Sequence, residues 1–352
     1  MYAFSMTSTP EPTGKHRNPT IKDVAAEANV SVSAVSKVLR NAYGVSDEMR
    51  TKVNKAAQTL GYRPRTAARS MRGRSYSIGI VMPGIVSSFP TQIAEEIDEV
   101  FKPTQYQPLI AVGGALGTEQ INAAEAMLDR QIDGIILISP WMDISWVERL
   151  AKRTPTVLVA RNGIGTHYDS VTDNAFEGSL AMVNYLVELG HRSIAYTSMP
   201  DGGLKRPYVL SHTSRQDGYE YAMKMHGLRP RIVTTTYSED GGYTAGCQLL
   251  DDDNPPTAIY AGSDIAAFGV MRAAQERGLR IPEDLTITGY DNVFASGLHG
   301  VSLTTIDQSS NEMGKTAAKL LIERINGRTE SVCRVESPKL VIRGSSAHPA
   351  KR

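Results

Sequence analysis

The sequence has only two cysteines and no long apolar segment, and each shortage disfavours a class of protein. Cys247 and Cys333 lack the spacing of a metal site, and we expect two ordinary thiols of a cytoplasmic protein. The apolar run at residues 135–138 is far shorter than the ~18 residues that a membrane-spanning helix needs. The first 19 residues show no charged start followed by an apolar stretch, so we expect no secretory signal.

Motifs of common enzyme classes are missing as well. The chain has no G-x-S-x-G elbow, no H-E-x-x-H zinc motif, no G-x-x-x-x-G-K-[ST] phosphate loop and no convincing catalytic triad. His191 and His212 are isolated, which favours structural or surface roles for both. We therefore expect no catalytic residue, no metal ligand and no cofactor.

The chain has 352 residues, a length that suggests two or three domains. Its charged residues are distributed unevenly along that length. Residues 1–74 contain 13 basic and 5 acidic residues, a net charge of +8, whereas the rest of the chain carries −7. A basic head on an acidic body suggests that the head binds a polyanion and the body does not. A solvated basic surface would give the same pattern and stays open as an alternative.

Three short helical patterns follow a Thr-, Pro- and Ser-rich tail. Each begins at a residue type that caps helix N-termini, namely Thr20, Ser31 and Ser46. In the second pattern Val35 and Val38 share one face at helical spacing, which leaves a polar outer face. Gly61 is placed to end the third helix.

The pattern of apolar residues changes at residue 75, after a basic linker at residues 64–74. Apolar strand-like segments such as SIGIVM, DGIILIS and LTITGY then alternate with helical patterns. This alternation predicts parallel sheets with helices on both faces. There are too many strands for one compact sheet, so we predict two doubly wound lobes behind an all-α head.

The segments TIKDVAAEANVSVSAVSKVLRN and VSDEMRTKVNKAAQTLGYRP closely resemble the DNA-binding head of the LacI/GalR (lac repressor) family of transcription regulators. Two helices joined by a tight turn, the second with a polar outer face, form a helix-turn-helix. Landmarks such as ELGHRSIAY, RQDGY and LTTIDQ extend the resemblance through the core. The family's core is similar to periplasmic sugar-binding proteins, which hold a ligand in a cleft between two lobes.

The resemblance also implies domain boundaries. They are a disordered tail at 1–18, a helix-turn-helix domain at 19–63, a hinge helix or linker at 64–74, an effector-binding and dimerisation core at 75–346 and a tail at 347–352. Within the core we expect one lobe at about 75–173 and 303–328, and the other at about 174–302 and 329–346.

Position by position, the resemblance implies two kinds of DNA contact from the head. Hydroxyls near helix starts would donate to phosphates, from Thr20, Ser31 and Ser36. The second helix would read bases through Val32, Ser33 and Lys37, followed by Arg40 on a phosphate in place of the family's usual Asn. Val32 and Ser33 are too short for a bidentate base contact, so Val32 suits a thymine methyl and Lys37 carries much of the readout. A core role for Val32 is the alternative.

The linker resembles the family's hinge helix, which folds when two copies meet in the minor groove. Met71 replaces the usual leucine that wedges between the central base pairs, and it keeps an apolar side chain of similar size. Ala68 lies in the same segment. Arg65 and Arg69 would add phosphate or minor-groove contacts. A basic solvated linker is the alternative.

The resemblance of the core implies a small-molecule effector, a sugar or nucleoside, in the cleft. Arg215 in the R-x-x-G-Y element and Asp291 at a strand end are its principal expected contacts. Further contacts are expected from Ser88, Phe89, Ser263, Asp264 and Gln308. Asp264 serves equally well as a helix cap, and Gly241 stands where relatives often have an aromatic residue. For Trp141 and Trp146 packing is favoured over a place in the cleft.

These features together predict a cytoplasmic, nucleoid-associated repressor that binds a palindromic double-stranded DNA operator as a homodimer. The C-terminal residues lack the heptad pattern that makes some relatives tetramers, and no membrane partner is expected. The effector would change the angle between the lobes and thereby the spacing of the two heads, which requires unequal affinity for two states. A sugar-binding protein without a transcription role is the alternative.

Overall fold

The computed structural model describes residues 18–39, 42–62, 74–200 and 210–350. The chain divides into two compact units, with the boundary between Ser75 and Tyr76. The predicted DNA contacts Arg40, Arg65, Ala68, Arg69 and Met71 lie outside the described residues. Within the described ranges, the helices are too short or too polar for any of them to cross a membrane.

In its described residues, the N-terminal unit is a bundle of three helices, α1 (Ile21–Glu27), α2 (Val32–Leu39) and α3 (Asp47–Thr59). Their apolar faces meet in one core, in which Val24, Val35 and Val53 are fully buried. As predicted, Gly61 ends α3: its φ of +61° suits glycine, and the next residue donates its N–H to the Ala57 carbonyl at 2.8 Å. The helical periodicity of the sequence therefore predicted these three helices and their buried faces correctly.

The second unit alternates strands and helices along the chain. Its strands are β1 (Ser77–Met82), β2 (Gln107–Val112), β3 (Gly134–Ile138), β4 (Thr156–Val159), β5 (Asp169–Asp173), β6 (Ile194–Ser198), β7 (Arg231–Thr234), β8 (Ala258–Ala261), β9 (Thr286–Tyr290), β10 (Thr304–Asp307), β11 (Cys333–Glu336) and β12 (Lys339–Val341). Its helices are α4 (Ser88–Phe101), α5 (Gly117–Leu128), α6 (Ile144–Ala151), α7 (Ala175–Glu188), α8 (Ser211–Met225), α9 (Glu239–Leu250), α10 (Asp264–Glu276) and α11 (Ser310–Ile325).

The strands form two sheets, and each sheet is the centre of one lobe. The first has the order β11-β5-β4-β3-β1-β2 and is parallel throughout. The second has the order β12-β10-β9-β8-β6-β7 and is parallel except for β12 at its edge. The prediction of two doubly wound lobes with parallel sheets is thus confirmed.

The chain passes between the lobes after β5, after β10 and after β11, and this corrects the predicted lobe boundaries. We expected residues 303–328 in the first lobe. Helix α11 in this range does pack on the first-lobe core, but β10 pairs with β9 in the second sheet. We expected residues 329–346 in the second lobe. Strand β12 does pair with β10 there, but β11 pairs with β5 in the first sheet. Strand partners are set by long-range pairing, which a local sequence pattern does not encode.

Both faces of the first sheet are covered, because successive strand residues point to opposite sides. Ile80 packs against α4 and α11 on one face, and Val81 packs against α5 on the other. The second sheet is arranged in the same way, with α7 and α8 on one face and α9 and α10 on the other. The carboxyl ends of parallel strands are thereby left free of covering helices, and the site described below lies there.

Candidate DNA-binding face and effector cleft

The outer face of α2 in the head carries the predicted base-reading residues. Val35 and Val38 on the same helix are buried and fix its orientation, whereas Ser33 and Lys37 are exposed. Val32 is 41% exposed, so the alternative of a core role for this side chain is wrong. The structure places Val32, Ser33 and Lys37 together on one solvent-facing surface.

The three hydroxyl residues predicted to contact phosphates differ in their surroundings. The Thr20 hydroxyl donates to Asp23 Oδ2 at 2.8 Å, and the Thr20 backbone N–H donates to the same oxygen at 2.7 Å. The Ser31 hydroxyl accepts from the Ala34 N–H at 3.1 Å, which leaves its own proton available to an acceptor. Ser36 is half-buried. Ser31 is therefore the best prepared of the three to donate to a phosphate.

Tyr43 is a feature of the head that the sequence reasoning missed. This side chain is fully exposed in the loop between α2 and α3. The Arg50 guanidinium donates to the Ala42 carbonyl at 3.1 Å and holds the loop next to it. The sequence showed a tyrosine between the second and third helical patterns, and only the structure shows that it is exposed on the same unit as α2.

A cavity of about 400 Å³ lies between the two lobes of the core. Four of the predicted effector contacts line it, namely Phe89, Arg215, Ser263 and Asp291. Its size falls within the range of small-molecule sites. The remaining lining residues come from both lobes and include Val86, Ser139, Trp141, Met199, Ser211, His212, Tyr237 and Ile265.

Arg215 is buried at the centre of the polar part of the cleft. Its Nη1 donates to the Gly262 carbonyl at 2.7 Å and lies 3.4 Å from Asp291 Oδ1. The guanidinium also lies over the Tyr290 ring, with Cζ 3.9 Å from the ring centroid. Burial by itself would lower the pKa of Arg215, but Asp291 and its other neighbours hold that pKa above its usual value. The guanidinium therefore stays charged.

Asp291 follows β9 and is the counter-ion of Arg215. Burial and the nearby carboxylates of Asp264 and Asp173 raise the pKa of Asp291 well above its usual value, against the lowering effect of the Arg215 guanidinium and the Gln308 amide. A buried guanidinium needs an opposite charge close by, so we assign the ionised form to Asp291. Its backbone φ of +121° lies in a region that non-glycine residues rarely adopt. Such strain is typical of functional positions.

Three predicted effector contacts do not line the cavity. Gln308 lies behind it, where its Nε2 donates to Asp291 Oδ1 at 2.6 Å and its Oε1 is 3.4 Å from Arg215 Nη2. Ser88 is the first residue of α4, next to the lining residue Phe89. Asp264 is fully buried and has both carboxylate oxygens occupied by Val293, Ser296 and Thr305. The sequence left open a helix-cap role for Asp264, but Ser263 is the N-cap of α10, and Asp264 instead ties three neighbouring segments together.

Trp141, His212 and Tyr237 line the cleft although the sequence reasoning did not place them there. The ring of Trp141 from the first lobe stacks on His212 from α8, with centroids 5.3 Å apart and an interplanar angle of 11°. The expectation that both tryptophans pack away from the cleft is therefore wrong for Trp141, whereas Trp146 packs on the core of the first lobe. Tyr237 supplies the aromatic wall that the glycine at position 241 had put in doubt.

Comparison with known proteins supports the two-part reading of the chain. The family model of bacterial regulatory proteins of the lacI family matches residues 20–65, and that of the periplasmic binding protein-like domain matches residues 183–346. Catabolite control protein A of Priestia megaterium is 33% identical over 326 residues, which are 91% of this chain and 97% of that protein. The chain belongs to the LacI family.

Other members of the LacI family match over similar lengths. The transcriptional repressor PurR of Pasteurella multocida is 32% identical over 334 residues, which are 93% of this chain and 98% of that protein. The Lac repressor bound to ONPG in its repressed state has a TM-score of 0.77 and 26% identity, covering 94% of this chain and 100% of that chain. The CelR–cellobiose complex, of a transcriptional regulator, has a TM-score of 0.68 and 26% identity, covering 93% and 99%.

Membership of the LacI family decides between the functions that the sequence left open. The chain is a transcription regulator with a DNA-binding helix-turn-helix and an effector-binding domain, and it is not an enzyme. A sugar-binding protein without a transcription role is set aside, because the lacI-family match covers the head.

Proposed function

We propose that the chain is a repressor that binds a palindromic operator as a homodimer and changes its operator affinity when a small molecule occupies the cleft. The observation that carries the proposal is the outward face of α2, where Val32, Ser33 and Lys37 are exposed above a buried face. A helix presented in this way fits the major groove. A palindromic site needs two such helices, one from each copy of the chain.

In this proposal each part of the DNA-binding surface has its own role. Lys37 and Ser33 contact base edges or phosphates, Val32 contacts a thymine methyl, and Ser31 donates to a phosphate. Tyr43 extends the same surface beyond the end of α2. Further backbone and minor-groove contacts are proposed for Thr20, Ser36, Arg40, Arg65, Ala68, Arg69 and Met71.

In the cleft, the proposed effector contacts are Arg215, Asp291, Ser263 and Phe89. Gln308 orients the carboxylate of Asp291 rather than touching the ligand, which is consistent with its place behind the cavity. Asp264 is proposed as a structural residue because both of its oxygens are occupied, and Ser88 as a residue that positions Phe89. The effector must favour one lobe arrangement to alter operator affinity.

The proposal is tested with a labelled DNA fragment from upstream of the protein's own coding sequence. Fluorescence anisotropy should show binding that survives competition by unrelated DNA and weakens with rising salt. Sedimentation should give a dimer at micromolar protein. A monomer under these conditions, or equal affinity for the upstream and unrelated fragments, would contradict the proposal. A protein that binds chromosomal DNA acts in the cytoplasm, and we propose association with the nucleoid there.

A further inference from the structure

We infer that the effector is an uncharged molecule built on a flat aromatic ring with one or two hydroxyl or carbonyl groups, rather than a free sugar or a nucleoside. The inference rests on the proposed function, because it assigns a ligand class to the same cleft. Four features of the described lining carry it: its charge balance, its hydrogen-bonding groups, its aromatic rings and its apolar edge.

The charge balance of the cleft favours an uncharged ligand. Among the described lining residues, Arg215 and Asp291 are the only Asp, Glu, Lys or Arg side chains, and they lie 3.4 Å from each other. The guanidinium is further held by the Gly262 carbonyl. An anionic or cationic ligand would have to compete with this buried pair for one partner and leave the other uncompensated.

The hydrogen-bonding groups of the cleft fit a free sugar poorly. A sugar carries hydroxyl groups around its whole ring, and each one needs a partner when it is buried. The described lining contains no asparagine or glutamine. Several lining hydroxyls already bond to the protein: Ser211 donates to the Ala160 carbonyl at 3.0 Å, and Ser238 accepts from the Gly241 N–H at 3.0 Å and bonds to the Thr236 hydroxyl at 2.9 Å. Ser263 accepts from the Ala266 N–H at 3.4 Å and keeps its own proton for a ligand.

Aromatic rings form a continuous wall of the cleft. The stacked pair of Trp141 and His212 continues into Tyr237, whose ring lies edge-on to His212 with centroids 6.4 Å apart and an interplanar angle of 79°. Phe89 adds a fourth ring to the lining. Flat unsaturated rings bind to such a surface through offset-stacked and edge-to-face contacts.

The segment that carries Trp141 is held in place from two sides. The Trp141 backbone N–H donates to Gln120 Oε1 at 2.7 Å. The buried Arg161 Nη1 donates to the carbonyls of Pro140 at 3.1 Å and Met142 at 2.6 Å. A methyl group on Gly117 would stand only 2.6 Å from the Trp141 carbonyl oxygen. Because the backbone on either side of Trp141 is held, its ring loses little conformational entropy when a ligand stacks on it, which favours affinity.

The apolar edge of the cleft gives the ring of such a ligand a place to be buried. Val86 is 83% exposed although it lines the cavity, and Met199 and Ile265 are half-buried beside it. Exposed apolar side chains at the edge of a pocket gain free energy when a ligand covers them. A polyol would not provide that cover, because its surface is mostly hydroxyl.

The test uses the intrinsic fluorescence of a Trp146→Phe variant. The chain has two tryptophans, so this change leaves Trp141 as the only one, while Trp146 lies in the first-lobe core and does not line the cavity. The probes are 4-hydroxybenzyl alcohol and coniferyl alcohol, compared with D-glucose, D-ribose and adenosine. We expect at least one alcohol to quench Trp141 and to bind at least ~10-fold more tightly than the other three probes, a difference of about 1.4 kcal/mol.

Two further variants test the aromatic wall by calorimetry. Trp141→Ala should weaken binding of the preferred alcohol by at least ~10-fold, whereas Trp141→Phe should retain it within about 3-fold, because phenylalanine keeps a flat ring at the same position. If the alanine variant fails to fold, the phenylalanine variant and the probe ranking still decide. Equal binding by all three proteins would overturn the assignment.

The outcomes separate the ligand class from the proposed function. Operator binding is measured without any ligand, so its absence overturns the proposed function even if an alcohol quenches Trp141. If operator binding is present but sugar or adenosine binds more tightly than both alcohols, the ligand class is overturned and the repressor function stands. Failure of both alcohols to bind overturns the ligand class as well.

Discussion

Gln308 donates its amide N–H to Asp291 Oδ1 at 2.6 Å, so a residue at the end of β10 holds the carboxylate that follows β9. The same amide accepts from Arg215 through an Nη2 to Oε1 distance of 3.4 Å. Each of the three side chains thus contacts the other two, and all three are buried. The three side chains form one hydrogen-bonded group, so replacing any one of them removes a partner from the other two.

Replacing Asp291 by asparagine should destabilise the core, because it removes the carboxylate that forms the ion pair with the buried Arg215 guanidinium. We expect the free energy of unfolding to fall by ~3–5 kcal/mol, the usual cost of removing one partner from a buried pair. Urea denaturation measures this directly. The matched control is Asp251→Asn, which removes an exposed partner of Arg277 and should leave the urea midpoint unchanged. Equal losses from both variants would argue against a special role for the buried pair.

Replacing Lys37 by alanine should weaken operator binding without affecting folding, because this side chain is exposed on α2. If Lys37 contacts a phosphate, the slope of log K against log salt should become shallower by about 1. If it reads a base, affinity should fall mainly for the operator and not for unrelated DNA. Lys319→Ala removes the same charge from an exposed position on α11 and is the control. Unchanged operator affinity for Lys37→Ala would show that Lys37 does not contact DNA.

Replacing Val32 by alanine should leave the stability of the head nearly unchanged, since the side chain is largely outside the core. It should instead reduce the preference for thymine at one position of each operator half-site. Anisotropy titrations with single-base operator variants measure this preference. A loss of thermal stability with unaltered base preference would return Val32 to a packing role.

Asp169 should make the core sensitive to acid. This carboxylate is fully buried in the structure and contacts Arg324 Nη2 at 2.8 Å and Arg328 Nη2 at 2.6 Å. Burial alone would raise the pKa of Asp169, but the hydrogen bonds from Arg328, Arg324 and the Val332 N–H hold it below its ordinary value of 3.8. The ionised form is therefore favoured by folding. Its contribution to stability is complete above pH 3.8 and is lost as the pH falls toward the lower pKa of the folded state.

Unfolding measured between pH 7 and pH 2 tests this contribution. Asp169→Asn should lower the free energy of unfolding at pH 7 by ~3 kcal/mol and flatten its decline in acid. Glu323→Gln removes a carboxylate that contacts the same Arg328 at the surface and should leave the acid limb in place. Identical acid limbs for wild type and Asp169→Asn would show that another group is responsible.

The parts of the fold that sequence could predict are those fixed by local spacing. Val35 and Val38 lie on the buried face that helical periodicity assigned to them, and the alternation of apolar strands with helices indicated two parallel sheets. Strand partners are different, because β10 (TTID) and β11 (CRVE) are both short, largely polar segments that nothing local assigns to either sheet. Their exchange between the lobes became visible only from the pairing itself.

The cleft shows the same division between local and long-range information. Arg215 and Asp291 could be placed in it from the family resemblance, because Arg215 stands in the R-x-x-G-Y element and Asp291 at the end of a strand. Trp141 could not, since its place depends on Gln120, 21 residues earlier, and on a ring from the other lobe. For Asp264, the strand-to-helix turn was predictable from local spacing, but the three donors that occupy its carboxylate were not.

The crossings of the chain between the two lobes determine the order in which the lobes can fold during synthesis. The first sheet takes its edge strand β11, and one of its covering helices α11, from the last fifty residues of the chain. During synthesis, most strands of the second lobe therefore leave the ribosome before the last strand and helix of the first lobe do, so the first lobe cannot complete its fold until then. Until α11 has left the ribosome, Ile78 and Ile80 on β1 lack some of the side chains that bury them. A nascent chain stalled before that point would expose apolar surface that chaperones bind.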